Sequence, residues 1–199
     1  MSKVIDYYFT PASPWSYFGH ERLRALAAQH GATINVKPVD LGKVFPVSGG
    51  LPLPKRAPQR QAYRLFELAR WRDFLGVPIN IQPKFGAASP EPSSRWIIAA
   101  GERGADAAMA LAGAVMRARW AEDKDIADAD TLADLARGVG LDPVALAERA
   151  ASADIAARFD AFSQEAIERQ VFGAPTYVYQ DEPFWGQDRL DFLARKLAK

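Results

Sequence analysis

The hydrophobic and polar positions of the first forty residues predict a strand, a helix and a second strand. Val4 to Phe9 is an apolar, β-prone run, which is the pattern of a buried strand. Apolar residues then recur at helical spacing as far as Gly31. They are Phe18, Leu23, Leu26 and Ala27. Thr33 to Lys37 alternates like a second strand and Pro38 ends it. A strand–helix–strand unit of this kind implies a parallel pair of strands.

The middle of the chain predicts a long loop followed by a block of helices. Leu41 to Pro58 is rich in Gly and Pro, so we expect a loop there. Ala57 to Leu75 then carries a helical stripe through Tyr63, Phe66, Leu68 and Trp71. Further helices are predicted over residues 92–103, 105–122, 129–138, 143–151 and 152–170. Trp71, Trp96 and Trp120 lie in helical stripes and are expected in the core.

The C-terminal residues return to a strand pattern. Thr176 to Tyr179 is β-prone, and Phe184-Trp185 is a predicted hairpin partner across the turn "QDEP". Residues 187–199 predict an amphipathic final helix. The whole order indicates an α/β fold in which a sheet from the two chain ends is interrupted by an all-helical insertion. We therefore expect one discontinuous domain of residues 1–40 and 171–199, and a connecting loop with a helical insertion domain over 41–170.

The amino-acid composition excludes several classes of function. The chain of 199 residues is 49% hydrophobic and 25% charged with a net charge of +1, which predicts a globular protein without a nucleic-acid or membrane-surface footprint. The absence of cysteine excludes disulfides, thiolate metal ligands and thiol–disulfide exchange by the protein's own side chains. Two histidines, His20 and His30, are too few for a usual metal site. Without a leader pattern or an apolar run of membrane length, we expect a soluble cytoplasmic protein.

Three stretches carry a family resemblance. They are "YYFTPASPWSYFG" near the N-terminus, "ERQVFGAPTYV" near residue 170 and "FWGQDRLDFL" near the end. With the element order, they make the chain resemble the 2-hydroxychromene-2-carboxylate isomerases and their relatives, the kappa-class glutathione transferases. Both belong to the DsbA-like branch of thioredoxin folds, where a Cys-x-x-Cys pair commonly precedes the first helix. Here that place reads Ser-Pro-Trp-Ser, and the resemblance implies that the sulfur comes from glutathione.

Ser13 is the catalytic candidate. A helix N-terminus offers unpaired N–H groups and a partial positive charge, which favour a nearby thiolate, and a hydroxyl adds a charge-assisted hydrogen bond. By resemblance, Ser13 holds the glutathione sulfur. The alternative is that Ser13 is only an N-cap with Pro14 at the first helical position. Ser16 faces either the site or solvent, and Trp15 is packing or pocket wall.

The resemblance also assigns the remaining glutathione contacts. It implies a cis peptide bond at Pro175 and a backbone contact from Ala174 to the cysteinyl part of glutathione; the alternative is a trans proline that begins a strand. The γ-glutamyl end is expected at the start of the last helix. The residues expected there are Trp185, Gly186, Gln187 and Asp188. Helix capping by Asp188 is the simpler reading and is compatible with this role.

Basic and aromatic residues of the loops are the other candidates. By resemblance, Lys55 or Arg56 contacts the glycine carboxylate of glutathione, unless the two are merely a solvated basic pair. The substrate-binding candidates are Trp15, Lys43, Lys84 and Phe85. Two departures from the family pattern stand out: "PVSGG" replaces a loop that often has asparagine, and Phe45 occupies a position where the isomerases have lysine.

Three functions are consistent with this sequence. The first is a glutathione-dependent isomerase that interconverts 2-hydroxychromene-2-carboxylate and trans-o-hydroxybenzylidenepyruvate in the breakdown of polycyclic aromatic hydrocarbons. The second is a kappa-like glutathione transferase or peroxidase, and the third is a non-catalytic binding module with little affinity for glutathione. The resemblance further implies a homodimer.

Overall fold

A four-stranded mixed sheet lies at the centre of the computed structural model, which describes residues 2–199. Its strands are β1 (Lys3–Phe9), β2 (Ala32–Pro38), β3 (Thr176–Tyr179) and β4 (Glu182–Trp185), in the spatial order β2-β1-β3-β4. β1 pairs with β2 in parallel and with β3 antiparallel, and β3 pairs with β4 antiparallel. The predicted α/β sheet built from both ends of the chain is thus confirmed.

Helices fill the sequence between β1 and β2 and between β2 and β3, and a last helix follows β4. They are α1 (Pro14–His30), α2 (Leu41–Ser48), α3 (Pro58–Leu75), α4 (Glu91–Ala100), α5 (Ala105–Trp120), α6 (Ala129–Gly138), α7 (Pro143–Ala151), α8 (Ala153–Glu168) and α9 (Leu190–Leu197). Short 3₁₀ turns cover Leu53–Lys55, Gly101–Arg103 and Gln187–Arg189. The division into two domains remains a prediction. Within residues 2–199, no helix is long and apolar enough to cross a membrane.

The predicted loop over residues 41–58 is partly wrong, because its first half is α2. Asp40 caps this helix by accepting a hydrogen bond from the Gly42 N–H at 2.7 Å. Gly49 ends it in the left-handed conformation at φ 75°. Val44 is fully buried against α8, and this packing outweighs the low helix propensity of a Gly- and Pro-containing segment.

The predicted apolar stripe of α3 is also partly wrong. Leu68 is fully buried and Trp71 packs against the core, but Tyr63 and Phe66 are 57% and 63% exposed. The inward stripe consists instead of residues 61, 64, 65, 68, 71, 72 and 75, each buried or half-buried. Apolar residues lie on both faces of α3, so periodicity alone could not select the buried face. Trp96 and Trp120 are buried in the core, as predicted.

A cluster of ion pairs fixes α8 against the sheet. Lys37 Nζ lies 3.0 Å from Asp6 and 2.6 Å from Glu165. Arg169 contacts the same Asp6 carboxylate at 2.5 Å. Burial acts to raise the pKa of Asp6, but hydrogen bonds from Asn35, Lys37 and Arg169 outweigh it and hold the pKa below its ordinary value of 3.8. Asp6 therefore stabilises the fold in its ionised form.

Asp6→Asn should lower the free energy of unfolding at neutral pH by about 2 kcal/mol, since it leaves two partly buried cations with less counter-charge. The lowered pKa sets the sign of the pH effect. Stability from Asp6 is fully present above its ordinary pKa and is lost as pH falls through the lower folded value. The stability difference between wild type and variant should therefore shrink as the pH falls below about 4. Urea unfolding at pH 7 and at pH 3 checks this, and a difference that grows on acidification would contradict it.

Candidate functional site

Ser13 lies where α1 begins and is 8% exposed. Its Oγ accepts a hydrogen bond from the Ser16 N–H at 3.2 Å, which confirms the N-cap prediction. The same hydroxyl donates to the Ala174 carbonyl at 3.2 Å, across most of the chain. The first turn of α1 carries no acidic side chain. The positive end of the helix dipole is thus uncompensated at this place, which favours an anion.

The Ala174–Pro175 segment lies against this helix start. Its peptide bond is cis, as predicted, and Thr176 directly after it begins β3. The Pro175 carbonyl accepts from the Gly186 N–H at 2.8 Å, which brings the end of β4 alongside. We find no hydrogen-bond partner for the Ala174 N–H among residues 2–199. The backbone of Ala174 therefore presents an N–H that an extended peptide could pair with.

Trp185 forms a wall beside this segment and is 52% exposed. Its ring packs edge-on against Phe172, with 4.7 Å between the ring centroids. A Cβ added to Gly173 would lie 2.5 Å from the Trp185 Nε1, so only glycine allows this packing. The Trp185 ring is thus fixed by its packing, and about half of the residue's surface is accessible to a ligand.

The residues after Gly186 form a 3₁₀ turn, whereas the sequence predicted one continuous helix over 187–199. Gln187 is 2% exposed, and Arg22 of α1 binds both its carbonyl, at 3.0 Å, and its side-chain oxygen, at 2.5 Å. Asp188 pairs with Arg189 at 2.6 Å. Arg22 thus locks the turn onto α1, a contact that sequence reasoning missed because 165 residues separate the partners.

The basic candidates differ in whether they already have a partner. Lys43 forms an exposed ion pair with Asp160 at 2.6 Å, and this hydrogen bond raises the pKa of Lys43. Lys55 and Arg56 have no carboxylate within 4.0 Å among residues 2–199. The Arg56 Nε donates to the Leu51 carbonyl at 2.8 Å. Lys55 and Arg56 remain available to an anionic ligand, and Lys43 is already compensated.

The loop that bears Lys84 and Phe85 is held by α5 and the residues after it. Arg119 is 3% exposed, and its guanidinium donates to the carbonyls of Gly86 at 2.6 Å and Ala88 at 3.1 Å. The Lys84 N–H donates to Asp123 at 3.0 Å, and the Lys84 ammonium lies 5.2 Å from the Phe85 ring centroid. Arg119 was not among the predicted residues, because the sequence does not show that an arginine is buried.

Trp120 connects this loop to the start of α1. Its Nε1 donates to the Pro11 carbonyl at 3.0 Å, and its carbonyl accepts from the Asn80 N–H at 2.6 Å. Tyr17 of α1 donates to the Pro78 carbonyl at 2.8 Å. The structure thus brings Ser13 into contact with Ala174 and ties the loop of Lys84 to the same helix start. It shows no hydrogen bond between this group and Lys43, Lys55 or Arg56.

Ser13, Ala174 and the turn at Gly186 form one continuous arrangement. A hydroxyl at a helix N-terminus faces a peptide edge, with an exposed aromatic wall beside it and the half-buried Arg22 holding the adjacent turn. Such a site can stabilise a thiolate and hold an extended peptide. The cysteine-free chain supplies no thiol of its own.

Comparisons with known proteins identify the family to which the chain belongs. The DSBA-like thioredoxin domain family matches residues 4–198. The chain is 33% identical to the 2-hydroxychromene-2-carboxylate isomerase of Sphingobium xenophagum over 97% of both chains. It is 23% identical to glutathione S-transferase kappa 1 of Caenorhabditis elegans, covering 98% of this chain and 91% of the relative. A solved structure of a 2-hydroxychromene-2-carboxylate isomerase superposes with a TM-score of 0.85 at 29% identity, covering 98% of this chain and 94% of the other.

Fold, sequence identity and coverage all lead to the same group of proteins. The chain belongs to the DSBA-like thioredoxin domain family and, within it, to the family of the 2-hydroxychromene-2-carboxylate isomerases.

Proposed function

We propose that this protein is a glutathione-dependent isomerase that interconverts 2-hydroxychromene-2-carboxylate and trans-o-hydroxybenzylidenepyruvate. The observation that carries the proposal is the contact between the Ser13 hydroxyl at the start of α1 and the backbone of Ala174. It joins an anion-stabilising helix end to a peptide-binding edge. Relatives named 2-hydroxychromene-2-carboxylate isomerase match the chain over nearly their full length and support the same activity.

A tripeptide thiol fits the groups present. The unpartnered N–H of Ala174 suits the cysteinyl part, and Asp188 suits an ammonium group. Lys55 and Arg56 suit the glycine carboxylate, and the exposed ring of Trp185 would lie against the peptide. The glutathione transferase among the relatives supports glutathione as that thiol.

When bound, glutathione supplies a thiolate that adds reversibly to the conjugated system of the substrate and so allows rotation about a former double bond. The protein's part is to stabilise the sulfur anion and hold the geometry. A free thiol with a pKa of about 8.5 is mostly protonated at neutral pH. The N–H groups at the start of α1 and the Ser13 hydroxyl favour the ionised form.

The hydroxyl of Ser13 must turn to serve the sulfur, because it now donates to the Ala174 carbonyl. The Ser16 N–H holds the Oγ in place from the other side. An incoming peptide N–H that donates to the Ala174 carbonyl would replace the Ser13 hydroxyl there. The hydroxyl would then be free to donate its hydrogen bond to the thiolate. Cofactor binding and thiolate stabilisation would then be coupled through one carbonyl.

We propose that the aromatic acid lies over Phe85 and meets the ammonium of Lys84 or another nearby cation. Arg119 and Asp123 hold this loop at a fixed distance from α1 through Trp120. Such positioning matters because a misplaced reactant loses much of the rate advantage of binding. The position of the substrate is thus set by residues remote from the reacting atoms.

We also propose a homodimer. Large apolar side chains near α2 and on α3 are exposed; they are Val47, Leu51, Tyr63, Phe66 and Phe74. A second copy that covers them would remove this surface from water. Light scattering should report twice the mass of 21.9 kDa.

The decisive experiment mixes 2-hydroxychromene-2-carboxylate with the protein, with and without glutathione, and follows the ultraviolet spectrum and the total thiol. Conversion that requires glutathione and leaves the thiol concentration unchanged supports the isomerase. Conversion without glutathione, or no conversion at all, would sink it. Net loss of thiol with an added electrophile would instead favour the transferase or peroxidase that the kappa relative suggests.

A further inference from the structure

A stretch of the chain without a single carboxylate surrounds the start of α3. From Leu41 to Phe66 the sequence has no aspartate or glutamate. It contains five cations, which are Lys43, Lys55, Arg56, Arg60 and Arg64. Of these, only Lys43 has an acidic partner within residues 2–199, namely Asp160. A protein with a net charge of +1 thus concentrates unpaired positive charge in one segment.

Arg64 is the unusual member of this group. It lies on the inward stripe of α3, four residues before the fully buried Leu68 and seven before Trp71. Its side chain is half-buried, and it makes no hydrogen bond or ion pair with any of residues 2–199. On the same helix, Arg70 is exposed and pairs with Glu67 at 2.6 Å. The structure pairs the exposed arginine and leaves the half-buried one without a counter-charge.

The charges of the group act on one another. Burial lowers the pKa of Arg64, and the charge of Arg56 lowers it further. The pKa of Arg56 is lowered by burial and then by Arg60. A partly buried cation close to other positive charges is unfavourable unless an anion compensates it. The described residues offer no such anion, so a ligand is the natural source.

We propose that Arg64 binds a carboxylate group of a ligand. The inference rests on the proposed function, which brings two carboxylate ligands to the protein: glutathione and the aromatic acid. A guanidinium can bind a carboxylate through two parallel hydrogen bonds, whereas an ammonium offers no such paired geometry. Arg64 is therefore better suited to bind a carboxylate than Lys84. Lys43 does not compete, because Asp160 already neutralises it.

The test compares charged ligands with neutral analogues. Calorimetry would measure the dissociation constants of glutathione and its glycine monoethyl ester, and of trans-cinnamate and cinnamamide. Each is measured with the wild type, Arg64→Gln, Arg64→Lys and the matched control Arg70→Gln. We expect Arg64→Gln to weaken one of the two carboxylates by about 10-fold and its neutral analogue by less than about 2-fold. Arg64→Lys should recover part of the loss, and Arg70→Gln should bind like the wild type.

The outcomes separate the source of the carboxylate. A loss for glutathione but not for its ester assigns Arg64 to the cofactor; a loss for cinnamate but not for cinnamamide assigns it to the aromatic acid. An equal loss for charged and neutral ligands, or no loss at all, overturns the inference. If the wild type binds neither glutathione nor the acid, the proposed function fails with it. Binding that is indifferent to Arg64 overturns the inference alone.

Discussion

Ser13→Ala should reduce kcat/KM for the glutathione-dependent isomerisation by about 10- to 100-fold. A hydrogen bond from a hydroxyl to a charged group contributes about 1.5–3 kcal/mol, which corresponds to about one to two units in the pKa of the bound thiol. The ultraviolet absorbance of the thiolate, titrated with pH in the complex, measures that pKa directly. It should rise in the variant toward the value of free glutathione.

Two controls separate the hydroxyl from the helix cap. Ser13→Gly also removes the hydroxyl, but glycine is a tolerated N-cap and alanine costs about 1 kcal/mol of stability. Both variants should lose activity equally, while Ser13→Ala unfolds at the lower temperature. Ser16→Ala tests the second serine, whose Oγ is fully buried and has no hydrogen-bond partner within residues 2–199. It should leave activity unchanged.

Retention of full activity and an unaltered thiol pKa in Ser13→Ala would show that Ser13 is only a cap. If Ser16→Ala lost as much activity as Ser13→Ala, the glutathione sulfur would instead be assigned a position one helical turn further along α1. The serine pair can therefore be resolved by three single substitutions. The pKa of the bound thiol reports on the hydroxyl, and the unfolding temperature reports on the cap.

Local patterns in the sequence predicted the sheet and the start of α1. Ser13 before Pro14 is a capping signal that needs no tertiary contact, and the structure shows that cap. The loop prediction over residues 41–58 failed because α2 depends on Val44 packing against α8. Intrinsic propensities favour turns at Gly and Pro, and they do not include the stabilisation that comes from burying Val44.

The parts of the site that the sequence did not predict are contacts between distant residues. Arg22 binds Gln187, Trp120 binds Pro11, and Arg119 holds the loop near Gly86. Each joins positions more than 30 residues apart, so no local spacing indicates them. Each also has an ordinary local reading, since an arginine or tryptophan on a helix is usually solvated or in the core. The helix cap at Ser13 was predictable, and the contacts around it between distant residues were not.

Gly19→Ala should destabilise the protein by about 2 kcal/mol, even though alanine favours a helix by up to about 1 kcal/mol. A Cβ at this position of α1 would overlap the Tyr177 Oη and would lie 3.1 Å from the Gln187 Cβ. Both neighbours are buried, and the Tyr177 ring stacks on Tyr7 with 5.5 Å between centroids. The helix must therefore move away from β3 and from the turn at Gln187. For a chain of this size, the melting temperature should fall by about 4–8 °C.

Tyr177→Phe supplies the rescue that makes this prediction specific. The Tyr177 hydroxyl is buried without a hydrogen-bond partner in residues 2–199, so its removal alone should be neutral or stabilise by about 1 kcal/mol. In the double variant, the closest contact of the new methyl group disappears, and most of the lost stability should return. Gly138→Ala is the matched control, since a Cβ there meets nothing within 4 Å. Losses that simply add in the double variant would contradict the contact between Gly19 and Tyr177.

The same pair links stability to the proposed glutathione site. The Gln187 Cβ is the second atom that the new methyl group would meet, and Gln187 begins the turn that carries Asp188. Tyr177→Phe does not relieve that contact. The double variant should therefore regain most of its melting temperature and still bind glutathione several-fold more weakly than Tyr177→Phe. Full recovery of both quantities would show that the position of the turn does not depend on Gly19, and Arg22 alone would then account for it.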